Sequence, residues 1–111
     1  MNSTINLLYL IMKIDELKGE ELDTLCKKNK VKSLFVFGSA IREDFNENSD
    51  IDLVVDFEES DPFKYADLYF SFKNKLENLF KRHIDLIEER AIKNRFFKQE
   101  LDNTKIKLYG L

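Results

Sequence analysis

The sequence predicts a small α/β (α+β) fold, a mixed β-sheet flanked by helices. Three observations support this. Short apolar runs of strand character, at residues 33–37, 51–57 and 83–87, alternate with longer stretches whose apolar residues recur at helical spacing. Three Gly and one Pro in 111 residues are too few for a turn-dense all-β chain. With 43% hydrophobic and 35% charged residues, the composition suits a folded globule, and the length suits one domain.

Taken in order, residues 5–12 are nearly all apolar, with Leu7, Leu8, Tyr9, Leu10 and Ile11 unbroken. They read as an extension over 1–12 before a domain over 13–111, either an extra turn packed on that domain or a segment upstream of a natural start at Met12. Residues 15–29 place Leu17, Leu22, Leu25 and Cys26 on one helical stripe, and Gly19 weakens the helix near its start. Cys26 falls on or beside that stripe as packing material. Residues 33–37 form a buried strand that stops at Gly38. A short helix then starts at 40–42, and a polar loop follows over 43–49. The run 51–57, with Leu53, Val54 and Val55 at its centre, is a second strand. Asp61 followed by Pro62 has the form of an N-cap with proline at the first helical position. That helix runs to about Phe80, with Tyr65, Tyr69, Phe72, Leu76 and Leu79 as its core stripe. Residues 83–87 form a third strand and 92–101 a helix, and 105–109 form an edge strand or a terminal arm. The order is α-β-α-β-α-β-α, with three strands carrying the sheet.

Composition also excludes several function classes. The net charge of −3 disfavours broad attraction to nucleic acid or an anionic membrane. One Cys and one His supply neither a disulfide framework nor a zinc cluster. The apolar run at 5–12 is far short of the roughly 20 residues that span a bilayer. It also lacks the basic flank and cleavage site of a signal peptide. The expectation is a cytoplasmic protein with no membrane and no direct nucleic-acid partner.

The chemistry lies between the first two strands. Gly38 has no Cβ, so its backbone can turn sharply and approach a phosphate. Ser39 stands where a helix N-terminus offers free N–H groups and a hydroxyl to phosphate oxygens. Asp50 and Asp52 are two apart on a predicted strand, so they share a face, with Cα atoms about 6.6 Å apart. Two ionised carboxylates at that separation repel by roughly 2.5 kcal/mol at an effective dielectric near 20. A divalent cation turns that repulsion into affinity, and an all-oxygen set points to Mg²⁺ or Mn²⁺. Asp85 is a third carboxylate among apolar neighbours, costly to bury unless metal-bound or paired with Lys81 or Arg82. If its strand lies beside that of Asp52, three carboxylates converge and two metals could bind. His83 shares a face with Asp85, as a structural hydrogen-bonder or a ligand.

Gly38-Ser39, ten residues, then Asp50-Ile51-Asp52 resembles the signature of the minimal nucleotidyltransferases, the MNT branch of the DNA-polymerase-β-like superfamily. Ser49-Asp50-Ile51-Asp52-Leu53 is similar to that family's usual form, and the likeness spans about residues 13–110. The resemblance implies the nucleotidyltransferase fold, with Asp50 and Asp52 as the catalytic metal-binding pair. Asp85 becomes the third carboxylate and candidate base. Gly38, Ser39, Arg42 and Ser49 become nucleotide-binding positions, although Arg42 is equally readable as a solvated loop charge. Many relatives carry Gly after that Arg, where this chain has Glu43.

Family resemblance also implies the partner. Stand-alone MNT proteins resemble the antitoxin half of pairs whose toxin is a HEPN-domain ribonuclease. The implied reaction moves AMP from ATP, with Mg²⁺, onto a toxin hydroxyl, typically Tyr, within a hetero-oligomer of the two. The alternatives are an antitoxin that acts by contact alone and a nucleotidyltransferase for a small molecule.

Overall fold

The computed structural model describes residues 15–38 and 49–110. The extension over 1–12, the helix expected at 40–42 and nearly all of the 43–49 loop lie outside the described residues. So do Ser39 and Arg42.

Helix α1 spans Glu20–Lys28, with Glu20, Glu21 and Asp23 in its first turn and Lys27 and Lys28 in its last. Both groups complement the helix dipole. The helix expected over 15–29 is interrupted: residues 15–17 are helical, Lys18 and Gly19 are not, and α1 starts after them. Leu22 and Cys26 carry its buried face. Burial pushes the Cys26 thiol up to about 12, with Asp23 adding to the effect. Lys30 then takes a left-handed backbone turn, φ 56°, and leads into β1.

Strand β1 spans Val31–Phe37, two residues longer at its start than expected, and β2 spans Ile51–Phe57 as expected. Helix α2 spans Pro62–Phe80. Its first free N–H groups are capped by the Asp61 carboxylate, which accepts from Phe63 at 2.9 Å and Lys64 at 3.1 Å. Strand β3, Ile84–Glu88, starts one residue later than expected. A 3₁₀ turn over Glu89–Ala91 follows, where no element was expected. It delays helix α3 to Arg95–Thr104, beyond the expected start at Ile92, and Asn94 caps α3 by accepting from the Phe97 N–H at 3.0 Å.

Strand β4, Ile106–Gly110, pairs antiparallel with β1, which settles the terminal segment as an edge strand. Among the described residues the sheet therefore has four strands, not three, in the order β3-β2-β1-β4. Strands β1 and β2 are antiparallel; β2 and β3 are parallel and joined by α2 as the crossover.

The main core lies on one face. Leu34, Val36, Ile51, Leu53, Val55, Phe57, Ile84, Leu86 and Leu108 meet Leu22 and Cys26 of α1 and Tyr65, Phe72 and Leu76 of α2. Phe57 packs edge-on against Tyr65 at 5.2 Å and Phe72 at 5.7 Å. Period-2 alternation sends Asp52, Val54 and Asp56 to the opposite face. Among the described residues, no helix is long and apolar enough to cross a membrane.

Candidate active site

The parallel pairing of β2 and β3 sets the site. Its register is Ile51↔Ile84, Asp52↔Asp85 and Leu53↔Leu86. The four apolar residues are buried in the core. Asp52 and Asp85 therefore stand side by side on the other face, on strands separated by about 4.8 Å. Asp52 is half-buried and Asp85 exposed. The burial expected of Asp85 is not found, because β3 is an edge strand and its outward face reaches solvent.

Side chains of α2 hold β3 on either side of Asp85. The Ile84 N–H donates to the Glu77 carboxylate at 3.1 Å. The Tyr69 hydroxyl donates to the Leu86 carbonyl at 2.6 Å. Burial raises the Tyr69 hydroxyl above its ordinary pKa, and the nearby Glu88 and Asp85 charges add to this.

Asp50 was expected on the strand with Asp52, but β2 begins at Ile51 and Asp50 stands just before it. What fixes this threshold is the segment entering β3. The Ile51 N–H donates to the His83 carbonyl at 3.1 Å. The His83 imidazole Nδ1 lies 3.4 Å from the Asp50 carboxylate. Arg82 donates to the Ser49 carbonyl at 3.1 Å. Sequence reasoning weighed Arg82 only as a partner for Asp85 and missed its hold on Ser49. The available signal was its place directly before the strand that carries Asp85.

Gly38 closes the site from the β1 side. The preceding Phe37 pairs with Asp52 across the antiparallel ladder. Gly38 has φ +63°, and a Cβ added there would collide with the Asp52 carboxylate. Glycine thus serves both the left-handed backbone and the space for the acid. Beside it, Phe37 meets Phe97 of α3 edge-on at 6.2 Å.

These oxygens suit a hard divalent cation. Among the described residues, no three His, Cys, Asp or Glu side chains group closely enough to hold a metal together. Mg²⁺ does not need such a cage, because it is usually held by one or two carboxylates, with water and substrate phosphates completing the octahedron. The Asp52–Asp85 pair, with Gly38 clearing the space beside it, fits that requirement.

Comparison with known proteins gives a consistent picture. The family model of the nucleotidyltransferase domain matches residues 20–108. A Methanocaldococcus jannaschii protein named "Putative protein adenylyltransferase MJ0128" is 32% identical over 96 residues, 86% of this chain and 95% of that protein. Two solved structures share the fold. One is a toxin–antitoxin with AMP-PNP, at TM-score 0.61 and 23% identity, covering 79% of this chain and 69% of that one. The other is a tri-AMPylated Shewanella oneidensis HEPN toxin in complex with MNT antitoxin. It matches at TM-score 0.57 and 18% identity, over 92% of this chain and 73% of that one.

Proposed function

This chain belongs to the nucleotidyltransferase domain family, and from that premise we propose that it is an antitoxin which transfers AMP from ATP to a tyrosine hydroxyl of a HEPN-domain toxin. The observation that carries the proposal is the register pairing of Asp52 with Asp85, with Gly38 leaving room beside Asp52. The adenylyltransferase relative supports AMP as the transferred group, and the toxin–antitoxin structures of like fold support the partner.

In the proposed reaction the acceptor oxygen attacks the α-phosphorus. One P–O bond forms, the bond to the β-phosphate bridging oxygen breaks, and pyrophosphate leaves. Asp85, exposed beside Asp52, receives the hydroxyl proton. Gly38 brings backbone close to the phosphates, and Ser49 lines the loop exit. Ser39 and Arg42, outside the described residues, complete the nucleotide contacts in this reading. Asp52 and Asp85 would hold Mg²⁺, or Mn²⁺ in its place, and Asp50 would join them only by shifting toward the cation, since the three do not group closely enough as they stand. The cation, when bound, supplies charge neutralisation at the reacting phosphate. AMP on the toxin adds negative charge and bulk where RNA would bind.

Intact-mass analysis of the HEPN partner, after incubation with this chain, ATP and Mg²⁺, tests the proposal. The expected result is one or more added AMP groups, lost with Asp50→Ala/Asp52→Ala. An unmodified partner that wild type and mutant inhibit equally would make the protein a contact antitoxin. Pyrophosphate release that needs no protein partner would point to a small-molecule acceptor.

A further inference from the structure

We propose that Arg82 is a positioning residue that aims Asp50 at the site, a role that rests on the nucleotidyl-transfer reading. The peptide unit is planar, so fixing its carbonyl or its N–H fixes the whole unit. Asp50 lies between two such units. The one before it presents the Ser49 carbonyl, which accepts from the Arg82 guanidinium at 3.1 Å. The one after it presents the Ile51 N–H, which donates to the His83 carbonyl at 3.1 Å. Both planes flanking the Asp50 Cα are therefore anchored on one dipeptide, Arg82-His83, and this sets the direction of the Asp50 Cα–Cβ bond. The His83 imidazole, 3.4 Å from the Asp50 carboxylate, adds a contact to the side chain itself.

The same dipeptide leads directly into β3, where Asp85 follows two residues after His83. It thus references Asp50 to Asp85 and, through the ladder, to Asp52. A pleated strand would have set Asp50 by its own geometry. Because Asp50 precedes the strand, that task passes to Arg82 and His83. The half-buried guanidinium holds a backbone carbonyl with a charged donor, a stronger bond than a neutral one gives. A lysine could reach the same carbonyl, but as a point charge without the planar fork that fixes orientation.

The test compares the full chain as wild type, Arg82→Ala and Arg82→Lys. Amide hydrogen exchange is read at Ile51 and at Glu58, whose N–H donates to the Lys30 carbonyl at the other end of β2. Binding of Mn²⁺ with AMP-PNP is measured on the same samples. In Arg82→Ala, exchange at Ile51 should speed up about tenfold while Glu58 keeps its rate. The Mn²⁺·AMP-PNP dissociation constant should rise about tenfold, with the alanine variant recovering on addition of guanidinium ion and Arg82→Lys falling between. Unchanged exchange at Ile51, or equal acceleration at Ile51 and Glu58, would overturn the proposal, the second by showing a merely structural residue. Wild type that binds no Mn²⁺·AMP-PNP would sink the enzyme reading instead, and the exchange comparison would still decide the role of Arg82.

Discussion

Strand β2 is held at each end by an arginine from a segment flanking β3, and the two ends are built differently. At the exit, Arg90 grips Asp56 through two nitrogens at 2.9 and 3.1 Å and donates to the Phe57 and Glu59 carbonyls at 2.8 and 2.9 Å. Its guanidinium also lies 4.0 Å from the centre of the Tyr65 ring. At the entrance, Arg82 reaches the Ser49 carbonyl, Asp50 stands just before the strand, and Asp52 pairs with Asp85 across the ladder. The exit commits Asp56 to an ion pair with Arg90. The entrance sets Asp52 beside Asp85, two like charges that an incoming cation would neutralise. In the proposed reading, one end of the strand serves stability and the other serves chemistry.

Substitutions at the two ends should separate these roles. The largest effect is expected from Asp52→Asn, which should lower AMP transfer by about 10³-fold or more, since several kcal/mol of charge stabilisation are lost. The thermal midpoint should hold or rise, because a carboxylate among carboxylates is relieved. A fall in melting temperature that matched the loss of activity would erase the distinction between the ends.

A pair of glycines sharpens the comparison. Gly38→Ala forces a Cβ into the Asp52 carboxylate at φ +63°. It should abolish most nucleotide binding, as read by titration with AMP-PNP. Gly110→Ala, on β4 at the far end, forces a Cβ onto the Lys32 backbone at φ +106°. It should cost about 2 kcal/mol of stability, leaving turnover per folded molecule intact.

Arg90→Ala should destabilise by about 2 kcal/mol in urea titration, a value discounted for its partly exposed side chain. Its nucleotide affinity should match wild type. Arg90 was not singled out in the sequence, because its partners are 31 to 34 residues away along the chain.

The smallest effect concerns pH at the exit. Glu59 accepts from the Asp61 N–H, which holds its carboxyl below the ordinary value, and Lys30 adds to this. The folded form therefore favours the carboxylate. Its contribution is present above the ordinary carboxylate range and is lost as pH falls through the lowered value. The protection factors of the Ser60 and Asp61 amides, which remove the intrinsic pH dependence of exchange, should fall on acidification in wild type and stay level in Glu59→Gln.

Much of the fold was legible because local chemistry and tertiary context agreed. Asp61-Pro62 marked the start of α2, and the apolar run from Ile51 marked β2. Other boundaries carried no such mark. Helix α2 closes on Lys81 in the left-handed region, and β1 is entered through Lys30 in the same conformation. Glycine or asparagine would have announced both turns. The helix read from Ile92 overlooked Asn94, whose side chain caps α3. At the candidate site, the motif singled out acids without showing what holds them. The neighbours of Asp50 come from a segment more than thirty residues later, and only the parallel ladder brings them together.

The ladder has a consequence for how the site comes into being. Asp52 and Asp85 are far apart along the chain and meet only through a parallel pairing closed over helix α2. Parallel strands cannot form as a hairpin, so their loop-closure entropy is spent before the contacts repay it. The antiparallel β1–β2 pair can exist earlier, but it lacks Asp85. A nascent or partly folded chain can therefore have a sheet and still no centre for phosphate chemistry. The pairing of Asp52 with Asp85 therefore waits on the docking of β3 beside β2, whatever else of the sheet has already formed.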